Sequence, residues 1–365
     1  MDPIIIVAIV VIIALIFEYS NGFNDAANAL ATTVSTRALE PKNALLLGVI
    51  FEFMGAFIVI NLTMLLGNIL FFKPVADTMG KIVSLPAVGS EISNGEIFSL
   101  EYLGLIICIG LITAFIWNLG ARYLGVPTSS SHAMIGGICG AGFAAFGIGA
   151  IKIEIVMLAF LSLVISPLIA IPIAYVLMKF IFYIVRNSNL SVKEKFRKGV
   201  IISSAAFAFS HGANDGQKTM GIISLFLLSA GMLQLSPSGI IYPPLWVILL
   251  CSLAMAFGIA TGAWKIIKTV GTKIFKMRYE HGFNAQTSAT AIILVGSFIG
   301  LPVSTTHVMT TSIMGTGAAQ RIKAVKWGIG KTLLTAWILT IPMTFIISAV
   351  IYTIFAFVFH TPKIF

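Results

Sequence analysis

The chain has 365 residues, of which 58% are hydrophobic and only 10% are charged. A soluble domain carries roughly 25% charged residues, and the mean hydropathy here is +1.02, so the composition excludes an ordinary soluble protein. The apolar stretches are long enough to cross a bilayer as helices, which takes about 20 residues each. The alternating segments of about ten residues that build outer-membrane barrels are absent from the sequence. We therefore predict an all-α polytopic membrane protein.

The net charge of +10 does not indicate a nucleic-acid partner. Most of the lysines and arginines lie in short loops, where they set the orientation of a membrane protein. Cys108, Cys139 and Cys251 each lie in an apolar run. We interpret them as small core residues, not as disulfide partners or metal ligands.

The first half of the chain opens with a polar interruption of an apolar span. Residues 3–17 are apolar and are followed by Glu18 and by the segment 20–28, SNGFNDAAN. A second short helical piece, 26–36, follows this segment, so we predict one discontinuous span. The next span covers 43–66 and contains Glu52, an ionisable residue at membrane depth.

The remaining spans follow from apolar stretches separated by polar or basic loops. A short basic linker, 186–198, separates a first repeat, 1–185, from a second repeat, 199–365. Further spans are predicted at 102–121, 155–178, 244–264 and 283–299.

Two pairs of motifs occur in the same order in the two halves. The segment 210–218, SHGANDGQK, matches 20–28 at a distance of 190 residues, and also interrupts an apolar span. The segment 300–307, GLPVSTTH, matches 125–132, GVPTSSSH, at a distance of 175 residues. These matches indicate an internal duplication.

The basic loops predict the orientation of the two repeats. Loops 179–198, 265–278 and 321–331 can all lie in the cytoplasm only if each half crosses the membrane an odd number of times. Five major passes per half give ten transmembrane segments, and extra re-entrant or interfacial pieces could raise the number towards twelve. An odd number of passes per half places both termini outside and inverts one repeat relative to the other. Inverted repeats with matched broken helices and helical hairpins are typical of secondary transporters, whose site lies where the repeats meet.

The starts of helices within the membrane predict an anion site. The free N–H groups and the dipole of a helix start favour an anion, and each repeat offers two starts, after Asn-Asp and after the Pro-hydroxyl cluster. Six hydroxyl donors lie at the latter starts: Ser129, Ser130, Ser131, Ser304, Thr305 and Thr306. A tetrahedral oxyanion fits such a site.

Two carboxylates beside these starts predict a cation. Asp25 and Asp215 would repel an anion unless a cation lay between them, and carboxylate, amide and hydroxyl oxygens are hard ligands suited to sodium. Glu52 is a candidate cation relay, or the partner in an interhelical hydrogen bond. Lys218, which replaces Asn28, could pair with substrate or with Asp215, or extend to the membrane interface.

Other interpretations remain open at this point. Asn and Asp are ordinary helix caps, and hydroxyls in membrane helices often bond to a nearby carbonyl. His132, His211 and His307 could form a membrane-embedded metalloenzyme, although no Cys or acidic ligand lies at metal spacing. His211 has no counterpart in the first copy, where Asn21 stands, so we assign it no central role. A sulfate permease or an anion channel would also use an oxyanion site.

These motifs make the chain similar to the inorganic phosphate transporter (PiT) family. That family carries a Gly-x-Asn-Asp signature in each repeat, matched here by 22–25 and 212–218, and the segments 125–132 and 300–307 match as well. The first copy has Phe23 where the family usually has Ala. The resemblance covers the whole chain. It implies phosphate symport with sodium, or with protons in some bacterial members, by an inverted-repeat protein of the cell (inner) membrane that often forms a homodimer.

We therefore expect a sodium-coupled symporter of inorganic phosphate that works by alternating access, and neither an enzyme nor a protein with a cofactor. The expected phosphate-binding residues are Ser129, Ser130, Ser131, Ser304, Thr305, Thr306, Gln217, Asn24 and Asn214. The expected sodium ligands are Asp25, Asp215, Asn24, Asn214 and Asn28.

Overall fold

The protein is described by a computed structural model that covers residues 2–70, 72–92, 97–124, 128–188, 191–261 and 277–359. These residues form α-helices joined by loops and two 3₁₀ turns, and no strand occurs among them. The helices are α1 (Pro3–Ser35), α2 (Pro41–Leu70), α3 (Val75–Met79), α4 (Leu100–Tyr123), α5 (Ser130–Phe146), α6 (Ile153–Val185), α7 (Val192–Ser229), α8 (Leu245–Thr261), α9 (Tyr279–Phe298), α10 (Thr305–Gln320) and α11 (Trp327–Phe359). The predicted all-α class is confirmed.

Five of these helices are long and apolar enough to cross a membrane within the described residues. The candidate spans are Pro3–Asp25, Pro41–Gly67, Leu100–Tyr123, Ile153–Val185 and Leu334–Phe359. The predicted spans 43–66, 102–121, 244–264 and 283–299 coincide with helices to within a few residues. Helices α5 and α10 have 17 and 16 residues, which is short for a full crossing.

Polar residues lie inside the bundle and apolar residues lie outside it. Helix α7 is polar along its middle, yet its side chains from Phe207 to Phe226 are buried except for Phe209. Helices α1, α6 and α11 expose isoleucine, leucine, valine and phenylalanine on their outer faces. Such an exterior matches a hydrocarbon surrounding, and the polar centre of α7 must find its partners within the protein.

The prediction that the spans are broken at the Asn-Asp motifs is wrong. Helix α1 runs through Asn24 and Asp25, and α7 runs through Asn214 and Asp215, without interruption. Neither motif contains proline, and the Asp side chains bond to side chains of other helices. The backbone hydrogen bonds therefore stay within each helix. Of the four helix starts predicted inside the membrane, the described residues contain those of α5 and α10.

Glycines let the helices cross at backbone contact in matched places. A Cβ atom on Gly22 of α1 would lie 2.2 Å from the carbonyl oxygen of Met255 in α8, and one on Gly212 of α7 would lie 2.2 Å from that of Glu52 in α2. Gly140 of α5 meets Phe345 of α11 in the same way, and Gly315 of α10 meets Ile171 of α6. Small residues permit such close crossings in membrane proteins, and here each crossing joins the two halves.

Candidate functional site

The two short helices α5 and α10 begin beside the two Asn-Asp motifs. Ser129 caps α5 and Ser304 caps α10, each accepting a hydrogen bond at 3.4 Å from the backbone N–H of the histidine three residues later. An N-cap serine stabilises a helix start in this way. Both caps are buried, so two helix starts lie inside the protein next to the acidic residues.

The hydroxyl groups that follow these caps bond to the two aspartates. Thr306 donates to Asp25 Oδ1 at 2.8 Å, and Ser130 donates to Asp25 Oδ2 at 3.5 Å. Thr305 donates to Asp215 Oδ2 at 3.1 Å. Asp25, from the first half, thus meets both Pro-hydroxyl clusters, as the sequence predicted for residues that share one site.

His211 joins the two aspartates to Glu52. Its Nε2 atom lies 3.8 Å from Asp25 Oδ2 and 3.4 Å from Asp215 Oδ2, and its Nδ1 atom lies 2.6 Å from Glu52 Oε1. Ligand atoms of Asp25, His211 and Asp215 all lie within 4.8 Å of one another, and all three residues are buried. Three carboxylates around one imidazole concentrate negative charge at a point that favours a cation or a proton.

The central position of His211 corrects the sequence interpretation, which gave it no such role. The comparison of the two motif copies concealed it because Asn21 occupies the equivalent place. The matched glycine crossings align Glu52 with Met255. Glu52 and His211 are therefore ionisable residues whose counterparts in the other half, Met255 and Asn21, are not ionisable. The signal available in the sequence was that Glu52 and His211 are ionisable residues within apolar spans.

Asn214 holds the loop before α10. Its Nδ2 atom donates to Ser297 Oγ at 3.1 Å and to the carbonyl of Leu301 at 3.2 Å, and its Oδ1 atom accepts from the backbone N–H of Val303 at 3.0 Å. Asn24, its counterpart, has a buried Oδ1 atom without a hydrogen-bond partner among the described residues. The side chain of Asn28 lies outside the described residues.

Gln217 faces away from Asp215 and supports α3. Its Oε1 atom accepts from the backbone N–H groups of Val75 at 2.8 Å and Ala76 at 3.5 Å, and its Nε2 atom donates to the carbonyl of Ala213 at 2.7 Å. Residues two apart on a helix do not share a face. The structure therefore does not bring Gln217 together with the other predicted phosphate ligands.

Replacing Gln217 with leucine is expected to lower the unfolding temperature of the protein and to leave its apparent affinity for phosphate nearly unchanged. The first turn of α3 has no other side-chain cap, and leaving buried N–H groups without an acceptor costs about 1–3 kcal/mol. Thermal unfolding in detergent and the phosphate dependence of uptake would be compared for Gln217→Leu and Gln217→Glu, which keeps the accepting oxygen. A loss of phosphate affinity in both variants, with unchanged unfolding temperatures, would instead assign the amide to phosphate.

Two further polar groups border the centre. Glu18 is buried and accepts a short hydrogen bond from the hydroxyl of Thr219, which links α1 to α7. The rings of His132 and His307 pack with centroids 4.8 Å apart, and Trp337 stacks on His307 at 3.7 Å. Both histidines also line a mainly apolar cavity of about 750 Å³ between α6, α10 and α11.

The fold and the site together define a polytopic membrane protein with a buried, charged centre built from two repeated motif pairs. Comparison with known proteins gives its family. The sequence model described as "Phosphate transporter family" matches residues 21–348. The chain belongs to the phosphate transporter family.

Several relatives carry matching names. The chain is 40% identical over 98% of its length to a Bacillus subtilis protein named "Probable low-affinity inorganic phosphate transporter", all of which it covers. It is 36% identical over 93% of its length to a Rhizobium meliloti protein of the same name, of which it covers 93%. A solved structure named "The sodium-dependent phosphate transporter" matches the fold with a TM-score of 0.80 at 24% identity, over 97% of this chain and 99% of that one.

These relationships decide between the transporter and the metalloenzyme interpretations. The family and the named relatives are phosphate transporters, so the prediction of a family of transporters is confirmed and the metalloenzyme alternative is excluded. Phosphate is the substrate of the family. A multi-pass membrane protein is likewise supported by the family and by the apolar helices.

Proposed function

We propose that this protein is a secondary active transporter that carries inorganic phosphate together with sodium. The observation that carries the proposal is the meeting of Asp25 and Asp215 with the hydroxyl-bearing starts of α5 and α10 in one buried centre. The helix starts favour an anion, and the carboxylates require a cation. A site that demands both charges is suited to symport.

The proposed cation site uses oxygen atoms of both motif copies. Its centre lies between Asp25 and Asp215 Oδ2, where carboxylate oxygens from α1 and α7 converge. Asn24, whose buried Oδ1 atom has no partner in the described residues, supplies a further oxygen, and Asn28 and Asn214 complete the proposed set. The structural neighbour, which shares the fold, is itself named as sodium-dependent.

The proposed phosphate site consists of the two helix starts. Ser129, Ser130 and Ser131 supply hydroxyl groups from α5, and Ser304, Thr305 and Thr306 supply them from α10. Asn24 and Asn214 precede the two aspartates in the chain and are the proposed amide ligands, although the Asn214 amide bonds to the loop before α10. Gln217 is a weaker candidate because its amide bonds to α3, away from these helix starts. Once sodium neutralises the carboxylates, the hydroxyl groups that now donate to the two aspartates would donate to bound phosphate instead.

We propose alternating access by two inverted repeats, 1–185 and 199–365, joined by the cytoplasmic linker 186–198. The matched glycine crossings support this proposal, because the first helix of each half packs on the second helix of the other half. Rocking of one packed unit against the other would open the centre to either side in turn. Both termini outside the cell and a homodimer remain predictions of the same proposal.

Purified protein in liposomes tests the coupling. Phosphate uptake is expected to rise strongly with an inward sodium gradient and to persist when a protonophore is present. Uptake that ignores sodium but collapses with the protonophore would contradict sodium coupling. Uptake of sulfate without uptake of phosphate would contradict the assigned substrate.

Proton coupling is the second candidate, and one observation favours it. His211 and Glu52 form a buried acid-base pair at 2.6 Å that touches both aspartates, and such a pair can pass a proton to the centre. Glu52 would then be the relay residue. The protonophore experiment separates this candidate from sodium coupling.

A further inference from the structure

The ammonium group of Lys218 is enclosed by three oxygen atoms. Its Nζ atom donates to Asp215 Oδ1 at 2.5 Å, to Ser131 Oγ at 2.5 Å and to the carbonyl of Val303 at 2.7 Å. The side chain is almost fully buried, so the interpretation that it extends to the membrane interface is wrong. An ammonium has three N–H donors, and in this conformation each one has an acceptor.

On the Asp25 side, the equivalent hydroxyl and carboxylate are bonded to each other directly. The repeat offsets pair Asp25 with Asp215 and Thr306 with Ser131. Thr306 donates directly to Asp25 Oδ1 at 2.8 Å, whereas Lys218 stands between Ser131 and Asp215 Oδ1. The residue that corresponds to Lys218 in the first copy is the uncharged Asn28.

The oxygen set around Lys218 has the composition of an alkali-cation site. A carboxylate, a hydroxyl and a backbone carbonyl are hard oxygen ligands, and they come from α7, α5 and the loop before α10. A lysine ammonium is a compact point charge and can satisfy the same ligands. In this conformation the Lys218 ammonium has no N–H group left to donate to phosphate, because all three already have acceptors.

We propose that the Lys218 ammonium occupies, as a tethered cation, the place of a second transported cation on the Asp215 side. The proposal rests on the proposed symport. Its consequence is that this protein carries one cation fewer per phosphate than it would with an uncharged polar residue at 218. Asp215 then serves two cations at once, with Oδ1 bound to Lys218 and Oδ2 facing the mobile cation shared with Asp25 and His211.

The test replaces Lys218 with the residue of the first copy. Lys218→Asn supplies an oxygen and vacates the ammonium position, and Lys218→Met vacates it without an oxygen. Phosphate uptake into liposomes would be measured against sodium concentration, together with the charge moved per phosphate at a fixed membrane potential. We expect the Hill coefficient for sodium to increase by about one in Lys218→Asn, and the charge moved per phosphate to increase by about one elementary charge relative to the wild type. Lys218→Met should show neither increase.

An active Lys218→Asn variant with the wild-type Hill coefficient for sodium and the wild-type charge moved per phosphate would overturn the proposal. If that variant does not fold, Lys218→Gln and sodium-dependent thermal stabilisation in detergent provide the same comparison. A new stabilisation by sodium, relative to wild type and to Lys218→Met, supports the proposal, and its absence overturns it.

The experiment also distinguishes this inference from the proposed function. If wild-type uptake ignores sodium, sodium coupling of the wild type fails. The tethered-cation inference then stands only if Lys218→Asn acquires sodium dependence. If wild-type uptake depends on sodium but Lys218→Asn behaves identically, the inference fails and sodium coupling stands.

Discussion

Replacing Asp25 with asparagine is expected to abolish phosphate uptake while leaving the protein folded. Asp25 is the point at which α1 meets the hydroxyl groups of both α5 and α10, and the substitution removes its carboxylate from that position. Truncating one partner of a buried charge pair costs roughly 2–5 kcal/mol of binding free energy, which corresponds to a loss of cation affinity of at least ~30-fold. Asparagine keeps an oxygen that can accept from Thr306, so the local packing is retained.

The measurement is initial phosphate uptake at fixed sodium, with the unfolding temperature recorded for the same preparation. Glu194→Gln is the matched control, because it also removes one carboxylate, but from an exposed acid that bonds to Arg197 at the start of α7. We expect the control to transport normally. Sodium-dependent uptake by Asp25→Asn at more than about a tenth of the wild-type rate would remove Asp25 from the cation site.

The features that could be predicted from the sequence are those determined by local chemistry. Helix positions follow from stretches of apolar residues, and the starts of α5 and α10 follow from Ser129 and Ser304, which are standard caps. The duplication, visible as two motif pairs, correctly predicted that Asp25 and Asp215 would meet the hydroxyl clusters. Each of these conclusions needed only neighbours in the chain or a comparison between halves.

The continuity of α1 and α7 through their Asn-Asp motifs could not be predicted from local chemistry. Polar residues inside an apolar span suggest a break when their partners are unknown, because buried polar groups need hydrogen bonds. Here the partners are side chains on distant helices, such as Thr305 for Asp215 and Ser297 for Asn214. Contacts of this kind depend on tertiary packing, so the sequence favoured broken helices and the structure has continuous ones.

Assuming a break also concealed the arrangement of residues on α7. His211, Asn214, Asp215 and Lys218 are spaced as i, i+3, i+4 and i+7, which places them on one face of an unbroken helix. The same spacing places Gln217 off that face, where it meets α3. Helical periodicity applied through the motif would have grouped His211 with the site and separated Gln217 from it.

Replacing Gly212 with alanine is expected to destabilise the protein by about 3 kcal/mol or more, because the new methyl group has no space to enter. Its Cβ atom would lie 2.2 Å from the carbonyl oxygen of Glu52 and 3.0 Å from its Cα atom. These are backbone atoms, which cannot rotate aside as a flexible side chain would. Helices α2 and α7 would have to separate.

Gly120→Ala provides the matched control, since a Cβ atom at this helical position meets nothing within 4 Å. Alanine is favoured over glycine in a helix by about 1 kcal/mol, so the control should unfold at the same temperature as wild type or slightly above it. The comparison is thermal unfolding in detergent, followed by phosphate uptake of whatever folded protein remains. An unfolding temperature of Gly212→Ala equal to that of Gly120→Ala would show that α2 and α7 are not in backbone contact.

The crossing of α2 and α7 at Gly212 also affects transport, because it sets the position of the Glu52 side chain. The backbone of Glu52 at the contact with Gly212 carries the side chain that bonds to His211 at 2.6 Å. A separation of α2 from α7 by even part of an ångström would therefore weaken the link between Glu52, His211 and the two aspartates. We expect any folded Gly212→Ala protein to lose uptake more steeply than its loss of stability alone would produce, because the same glycine sets both the helix packing and the geometry of the charged centre.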